Sequence, residues 1–140
     1  MPRPDSRSTR GLVLAGLVIL GILAIGCGKA KPLGTVRGTV HFRGVPVTKG
    51  IVMLYSAAVG YGNQREIDSD GSFAVDGLPY GPYQLAVSPP MVMEDYGGKS
   101  APTLRVIEVD NIPERYHNPS TSGFSCDVTE PSVTVDLRMD

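Results

Sequence analysis

The sequence V-R-G-T-V-H-F-R, residues 36–43, decides the fold class. Apolar or small residues at positions 36, 38, 40 and 42 alternate with polar residues at 37, 39, 41 and 43. This period of two predicts a strand with one face buried against a core. The same period recurs near the other end of the chain, where Val133, Val135, Leu137 and Met139 alternate with polar residues.

Further strands are predicted between these two. Residues 51–55 form the short continuous apolar run of a central strand, and residues 83–87 and 103–109 are also predicted as strands. Residues 68–71, D-S-D-G, are typical of a hairpin turn. Gly or Pro interrupts every candidate helix after the N-terminal segment. About seven short strands predict an all-β fold, a single antiparallel β-sandwich preceded by a signal or anchor helix.

Two longer segments rich in Pro and Gly, residues 88–102 and 110–123, are predicted to be irregular loops. Loops of this length in a compact domain are often functional. We therefore expect any partner surface here, with Tyr96, Tyr116 and His117 as candidate ligand contacts.

The N-terminal segment has the pattern of an export signal. Arg3, Arg7 and Arg10 precede the uncharged run G-L-V-L-A-G-L-V-I-L-G-I-L-A-I-G of residues 11–26, and Cys27 follows. The end of the run, A-I-G-C, resembles a bacterial lipobox, although Ala24 stands where Leu is usual. That resemblance implies a diacylglyceryl group on the Cys27 thiol and cleavage just before it.

Two alternatives to lipidation remain for this segment. Residues 11–28 carry no charge and reach the lower limit of a membrane-spanning helix, so an uncleaved anchor is one alternative. An ordinary cleaved signal peptide is the other. All three interpretations place the rest of the chain outside the cytoplasm.

The expected organisation is therefore a lipoprotein signal peptide at 1–26, a lipidated cysteine with its tether at 27–35, and a β-sandwich domain at 36–140. The formal net charge is −1, and no Lys/Arg block occurs beyond the first ten residues. A strongly basic nucleic-acid-binding protein is thereby excluded. We expect the protein to attach to the membrane through its lipid chains, because a mildly acidic domain does not attract anionic headgroups.

The chain has two cysteines, Cys27 and Cys126. Phe124, Cys126 and Val128 alternate with polar residues, so Cys126 is predicted on the apolar face of a strand, as a buried free thiol. The rival prediction is a Cys27–Cys126 disulfide, which would exclude lipidation, and an intermolecular bridge is a third possibility. One cysteine in the domain and two distant histidines do not supply a zinc site.

Several segments resemble the carboxypeptidase regulatory-like domain. Residues 36–40, 44–47 and 50–52 resemble its opening, and residues 68–73 and 81–87 resemble its middle hairpin and the strand that follows. Residues 112–116 and 120–123 resemble the tail of small envelope lipoproteins built on this domain. The resemblance covers nearly all of residues 36–140. It implies a transthyretin-like sandwich of seven strands that acts as a non-catalytic module, with no catalytic residues to carry over.

Catalytic and metal sites find little support in the residues. Asp68 and Asp70 could begin a calcium-binding loop, but its twelfth position is Pro79 rather than the required Glu, so a plain turn is predicted. His41 is expected to be an ordinary exposed histidine. Neither a cofactor nor a metal is expected.

The predicted function is that of a non-catalytic, lipid-anchored cell-envelope protein acting as a structural or interaction module. The alternative is a carbohydrate- or peptide-binding module that uses loops 88–102 and 110–123. A third hypothesis is an enzyme in which His117 activates Ser120 or Ser122, which requires a serine oxygen within hydrogen-bond reach of the imidazole.

Overall fold

A computed structural model describes residues 28–94, 98 and 101–140. The predicted signal segment 1–26, Cys27 and Tyr96 lie outside the described residues. The chain divides into two compact units, Met1–Ala30 and Lys31–Asp140, and every core side chain that the structure describes belongs to the second.

The described residues form ten strands and one short 3₁₀ helix. The strands are β1 Leu33–Phe42, β2 Val45–Pro46, β3 Ile51–Ser56, β4 Tyr61–Glu66, β5 Ser72–Pro79, β6 Gly81–Ser88, β7 Met91–Glu94, β8 Thr103–Val106, β9 Phe124–Val128 and β10 Ser132–Met139. The 3₁₀ helix is Glu114–Tyr116. Strand β1 therefore begins three residues before its predicted start at Val36.

Eight of these strands form two four-stranded sheets, and the other two form a separate ribbon. In the first sheet, β1 pairs with β10 along one edge and with β5 and β2 along the other. The second sheet has the order β4-β3-β6-β9, and the ribbon is β7-β8. The pairing of β1 with β10 is parallel, and the other pairings are antiparallel. The predicted all-β sandwich is confirmed.

The core lies between the two sheets because the inner faces alternate as the sequence predicts. Val36 and Val40 of β1 are buried together with Leu137 and Met139 of β10. Burying each such side chain contributes about 1.5–3 kcal/mol relative to an exposed one. The buried members of the core are Val36, Val40, Val47, Val52, Leu54, Ile67, Phe73, Val75, Leu78, Tyr83, Leu85, Val87, Ile112, Tyr116, Val128, Leu137 and Met139.

The Asp-Gly turn at residues 68–71 is a turn but not a hairpin, so this part of the prediction is wrong. The Asp68 amide donates to the carbonyl of Ser72, and the Gly71 amide donates to the carbonyl of Asp68. The flanking strands β4 and β5 pair with β3 and β1, which belong to different sheets. The turn therefore carries the chain from one sheet to the other.

The segment 88–102 is more regular than predicted. Strand β6 extends to Ser88, and β7 then pairs with β8 to form the ribbon. The predicted strand over residues 103–109 is confirmed only as far as Val106.

The segment 110–123 is an ordered loop that packs onto the sandwich. Ile112 and Tyr116 are buried in the core, and the Tyr116 ring stacks on that of Phe124 with centroids 5.2 Å apart. Within the part of the chain that the structure describes, no helix has the length and hydropathy needed to cross a bilayer.

Candidate functional site

A groove runs over the outer face of the second sheet and centres on Tyr55. In β3, Val52 and Leu54 point into the core, so Met53 and Tyr55 point outward. Tyr55 is 50% exposed. A large aromatic side chain this accessible on a sheet face is available to a ligand.

The strands beside β3 leave the Tyr55 ring uncovered. Tyr55 pairs with Gly62 of β4 on one side and with Gln84 of β6 on the other. A Cβ on Gly62 would lie 3.5 Å from Cδ2 of Tyr55, so the ring lies beside the bare backbone of that glycine. The ring thus has a side chain as a cross-strand neighbour on only one side.

The central part of the groove encloses about 620 Å³ and has no charged lining residue. Strands β3, β4 and β6 form its floor, and residues 118–120 form one wall. The lining residues are Met53, Leu54, Tyr55, Gly62, Asn63, Gln64, Gln84, Asn118, Pro119 and Ser120. An apolar surface with a few amide and hydroxyl groups suits a neutral polar ligand better than an ion.

Local hydrogen bonds orient two of the amides. Oδ1 of Asn63 accepts a hydrogen bond of 2.8 Å from the Gln64 amide. Oδ1 of Asn118 accepts bonds from the Ser120 amide and hydroxyl, at 2.9 and 2.8 Å. Because Oδ1 of Asn118 already accepts two hydrogen bonds, Asn118 offers a ligand its Nδ2 donors, whereas Asn63 keeps one lone pair of Oδ1 as well as its Nδ2 group.

Two smaller depressions continue the groove. One shares Tyr55 and Gln84 with the central part and extends over β9 to Ser125 and Asp127. The other shares Gln64 and lies between the ends of β3 and β4 and the β7-β8 ribbon. The three depressions together make a trough flanked by both of the segments predicted to carry a partner surface.

The structure places Tyr116 and His117 away from this trough, which corrects their assignment as ligand contacts. Tyr116 is only 4% exposed, and its hydroxyl donates a 2.7 Å hydrogen bond to Oδ1 of Asp140. Nε2 of His117 donates to the carbonyl of Ile112 at 2.9 Å. Loop 110–123 contributes Asn118, Pro119 and Ser120 to the groove instead.

The serine hydroxyls near His117 are directed elsewhere. The Ser120 hydroxyl donates to Oδ1 of Asn118, and the buried Ser122 hydroxyl donates to the carbonyl of Leu85. The Phe124 amide also donates to the Ser122 oxygen, at 3.1 Å. These side chains hold the loop against β6 and do not form the nucleophile–base pair of the enzyme hypothesis.

The carboxylate at Asp70 stabilises a turn. Its Oδ1 accepts hydrogen bonds from the Ser72 amide at 2.9 Å and the Ser72 hydroxyl at 2.6 Å. These bonds lower the pKa of Asp70. Among the described residues no cluster of three or more His, Cys, Asp or Glu side chains could hold a metal ion.

Cys126 lies on the inward face of β9, as predicted, and carries a free thiol. It is partly rather than fully buried and packs against the core. Burial, followed by the neighbouring Asp127 charge, raises the pKa of the thiol to about 11. The rival Cys27–Cys126 disulfide involves a residue outside the described range.

His41 belongs to a polar cluster on the outer face of the first sheet. Oδ1 of Asp136 accepts hydrogen bonds from the Thr39 hydroxyl at 3.1 Å and from Nδ1 of His41 at 3.2 Å. Nε of Arg138 donates to Oδ2 of the same carboxylate at 2.6 Å, and these bonds, the one from Arg138 foremost, lower the pKa of Asp136. The cluster bridges the parallel strands β1 and β10.

Tyr55 and Gln84 are the groove residues that the sequence did not single out. Tyr55 ends a continuous apolar run, and Gln84 is one polar residue in an alternating strand. The sequence does offer one signal for Tyr55: the period of two within residues 52–55 places Met53 and Tyr55 on the same face of the strand. Their position beside Gln84 depends on strand pairing, which one sequence does not reveal.

No protein-family model matches the chain, and no curated protein sequence matches it. Among solved structures, it is similar to BcpA, the major pilin subunit of Bacillus cereus, at 14% identity and a TM-score of 0.45, over 76% of this chain and 29% of the pilin. A provisionally assigned carbohydrate-binding protein from Pseudomonas aeruginosa matches at 13% identity and a TM-score of 0.43, over 76% of this chain and 88% of that one.

A third solved structure of this kind is a 9R-lipoxygenase from Cyanothece, at 13% identity and a TM-score of 0.45, over 91% of this chain and 20% of the enzyme. The chain thus spans less than a third of the length of the pilin subunit and a fifth of that of the lipoxygenase. With TM-scores below 0.5, these likenesses carry no assignment of function to this chain.

Proposed function

We propose that the protein is a non-catalytic carbohydrate-binding module of the carboxypeptidase regulatory-like type, held at the cell envelope by a lipid on Cys27. The half-exposed Tyr55 in an uncharged, amide-lined groove is the observation that carries the binding proposal. The export pattern of residues 1–27 supports the location.

Carbohydrate fits the groove because a sugar ring has an apolar face and a polar rim. The C–H groups of the apolar face carry partial positive charge and pack on the negative face of an aromatic ring such as Tyr55. Hydroxyl groups on the rim both donate and accept hydrogen bonds, as do the side-chain amides of Gln64 and Gln84. An anionic ligand would find no cation among the lining residues of the central groove.

Binding to a panel of neutral oligosaccharides, measured by calorimetry, tests this proposal. We expect at least one glycan to bind, and Tyr55→Ala to weaken it by about tenfold or more, because loss of an aromatic anchor costs more than 1 kcal/mol. Tyr55→Phe keeps the ring and should retain most of the affinity.

Val45→Ala is the matched control, since Val45 is 65% exposed but lies on β2 of the other sheet. Absence of binding across the panel would contradict the carbohydrate proposal. Binding of extended peptides in its place, with the same dependence on Tyr55, would support the peptide alternative.

The lipid anchor is tested on protein from a membrane fraction by intact mass and by the N-terminal peptide. We expect a peptide that starts at Cys27 and carries acyl mass, and we expect Cys27→Ala to abolish both the acylation and the cleavage. A chain that keeps residues 1–26 and lacks lipid would indicate an uncleaved helical anchor.

A further inference from the structure

The β7-β8 ribbon has one apolar face and one polar face. Directly paired residues lie on the same face of a sheet, so the pairs Met91–Val106 and Met93–Leu104 share one face. The alternate pairs are Val92–Arg105 and Glu94–Thr103, and Arg105 donates a 2.8 Å hydrogen bond to Glu94.

The apolar face of the ribbon is open to solvent. Its four side chains are 40 to 70% exposed, with Met93 and Leu104 the most accessible. Single exposed hydrophobic residues are ordinary, but four adjacent ones on a two-stranded ribbon form a patch that indicates a binding surface.

This apolar face is continuous with the proposed sugar-binding groove. Met91 and Leu104 line one depression together with Ile51 and Gln64. Gln64 also lines the central groove beside Tyr55. A ligand in the groove can therefore extend onto the ribbon through this depression, which Arg65 and Glu66 also line.

We propose that the ligand is an amphiphile, a neutral sugar joined to a hydrocarbon chain. The sugar stacks on Tyr55, and the chain lies along Met91, Met93, Leu104 and Val106. This inference rests on the proposed function and specifies its ligand. It accounts for both the uncharged groove and the exposed ribbon face with one occupant.

A second copy of the protein and a bilayer explain the ribbon less well. A stable interface between proteins usually buries about 800 Å² on each partner, and four side chains fall short of that. Leu33 pairs with Pro79, next to the start of β6, whereas the ribbon follows Ser88 at the opposite end of β6. That strand spans roughly 25 Å, so the ribbon lies far from the end of the sandwich where the tether enters.

Alkyl glucosides of increasing chain length test the proposal on residues 31–140, the unit that contains the described core. Methyl, butyl, hexyl and octyl β-D-glucopyranoside are titrated below their micelle concentrations, after a cooperative thermal transition has shown that the unit is folded. We expect affinity to rise about twofold per methylene. Full burial of a methylene would raise affinity about fourfold. The expected factor is smaller because this open face leaves one side of the hydrocarbon chain in water.

Two variants test whether the apolar face of the ribbon binds the hydrocarbon chain. Leu104→Gln should abolish the dependence on chain length, whereas Val92→Gln, on the opposite face of the ribbon, should retain it. Persistence of the dependence in Leu104→Gln would overturn the assignment of the chain to this face.

The remaining outcomes distinguish this inference from the proposed function. If affinity does not change along the series while a glycan of the panel binds, the amphiphile proposal fails and carbohydrate binding stands. If neither glucosides nor panel glycans bind, both fail. If alkanols or phosphatidylcholine vesicles bind as tightly as the glucosides, the ribbon is a general lipid surface, and the amphiphile proposal is also overturned.

Discussion

At the scale of the residue, Cys126 shows how the fold alters chemistry. Burial raises the pKa of its thiol from 9.0 to about 11. Because the thiolate is the reactive form, we expect alkylation of Cys126 at pH 8 to be about 100-fold slower in the folded protein than in urea. Mass spectrometry after timed iodoacetamide treatment measures both rates, and equal rates would contradict the burial of this thiol.

The same thiol makes stability depend on pH. The folded state favours the neutral thiol. Its contribution to the free energy of unfolding is therefore fully present below pH 9 and is lost as the pH rises towards 11. We expect the urea midpoint to fall over this range, and to fall less in Cys126→Ala. An identical pH profile for the two proteins would assign the loss to other groups.

Tyr83 contributes a partly buried hydrogen bond. It is 1% exposed, and its hydroxyl donates to the carbonyl of Pro79 at 2.8 Å, across the turn between the two sheets. Tyr83→Phe should lower the free energy of unfolding by about 1 kcal/mol, because the partly buried carbonyl of Pro79 loses its hydrogen-bond donor. Tyr55→Phe, at an exposed ring, is the control and should leave the urea unfolding curve unchanged.

At the scale of the element, the parallel pair β1-β10 requires a glycine at position 38. Gly38 pairs with Val135, and a methyl group there would overlap the carbonyl oxygen of Val135 and approach its Cγ2 to 2.9 Å. We expect Gly38→Ala to destabilise the domain by about 1–3 kcal/mol, as overpacking does.

Thermal unfolding followed by circular dichroism measures this loss. Gly28→Ala is the matched control, because nothing lies within 4 Å of a Cβ at that position. An unchanged melting temperature in Gly38→Ala would show that β1 and β10 can move apart to accept a methyl group without loss of stability.

Strands were predictable from the sequence where one face is buried, and their partners were not. The alternation at residues 36–42 and 133–139 fixes which side chains face the core, and both strands are found. The hairpin predicted at residues 68–71 was wrong, because an Asp-Gly turn specifies a local reversal and not the sheet that receives the next strand. Strand β7, the partner of the predicted strand β8, was not predicted, because Pro and Gly in residues 88–102 indicated an irregular loop.

At the scale of the whole molecule, the candidate site is a product of topology. Strands β3 and β4 are neighbours in sequence, whereas β6 and the loop at 118–120 join them only in the folded chain. Both segments expected to carry a partner surface contribute lining residues, Met91 from the first and residues 118–120 from the second. The aromatic contact was misassigned to Tyr116, because a sequence does not show which tyrosine is buried in the core.

The parallel pairing of β1 with β10 also bears on biosynthesis. Thr39 of β1 hydrogen bonds to Asp136 of β10 across 97 residues of sequence. Strand β1 therefore lacks one of its neighbours until almost the whole domain has left the ribosome, and pairings this distant in sequence form slowly. For the export proposed above, this connectivity favours passage through a translocation channel, because the first sheet cannot close until β10 has also emerged.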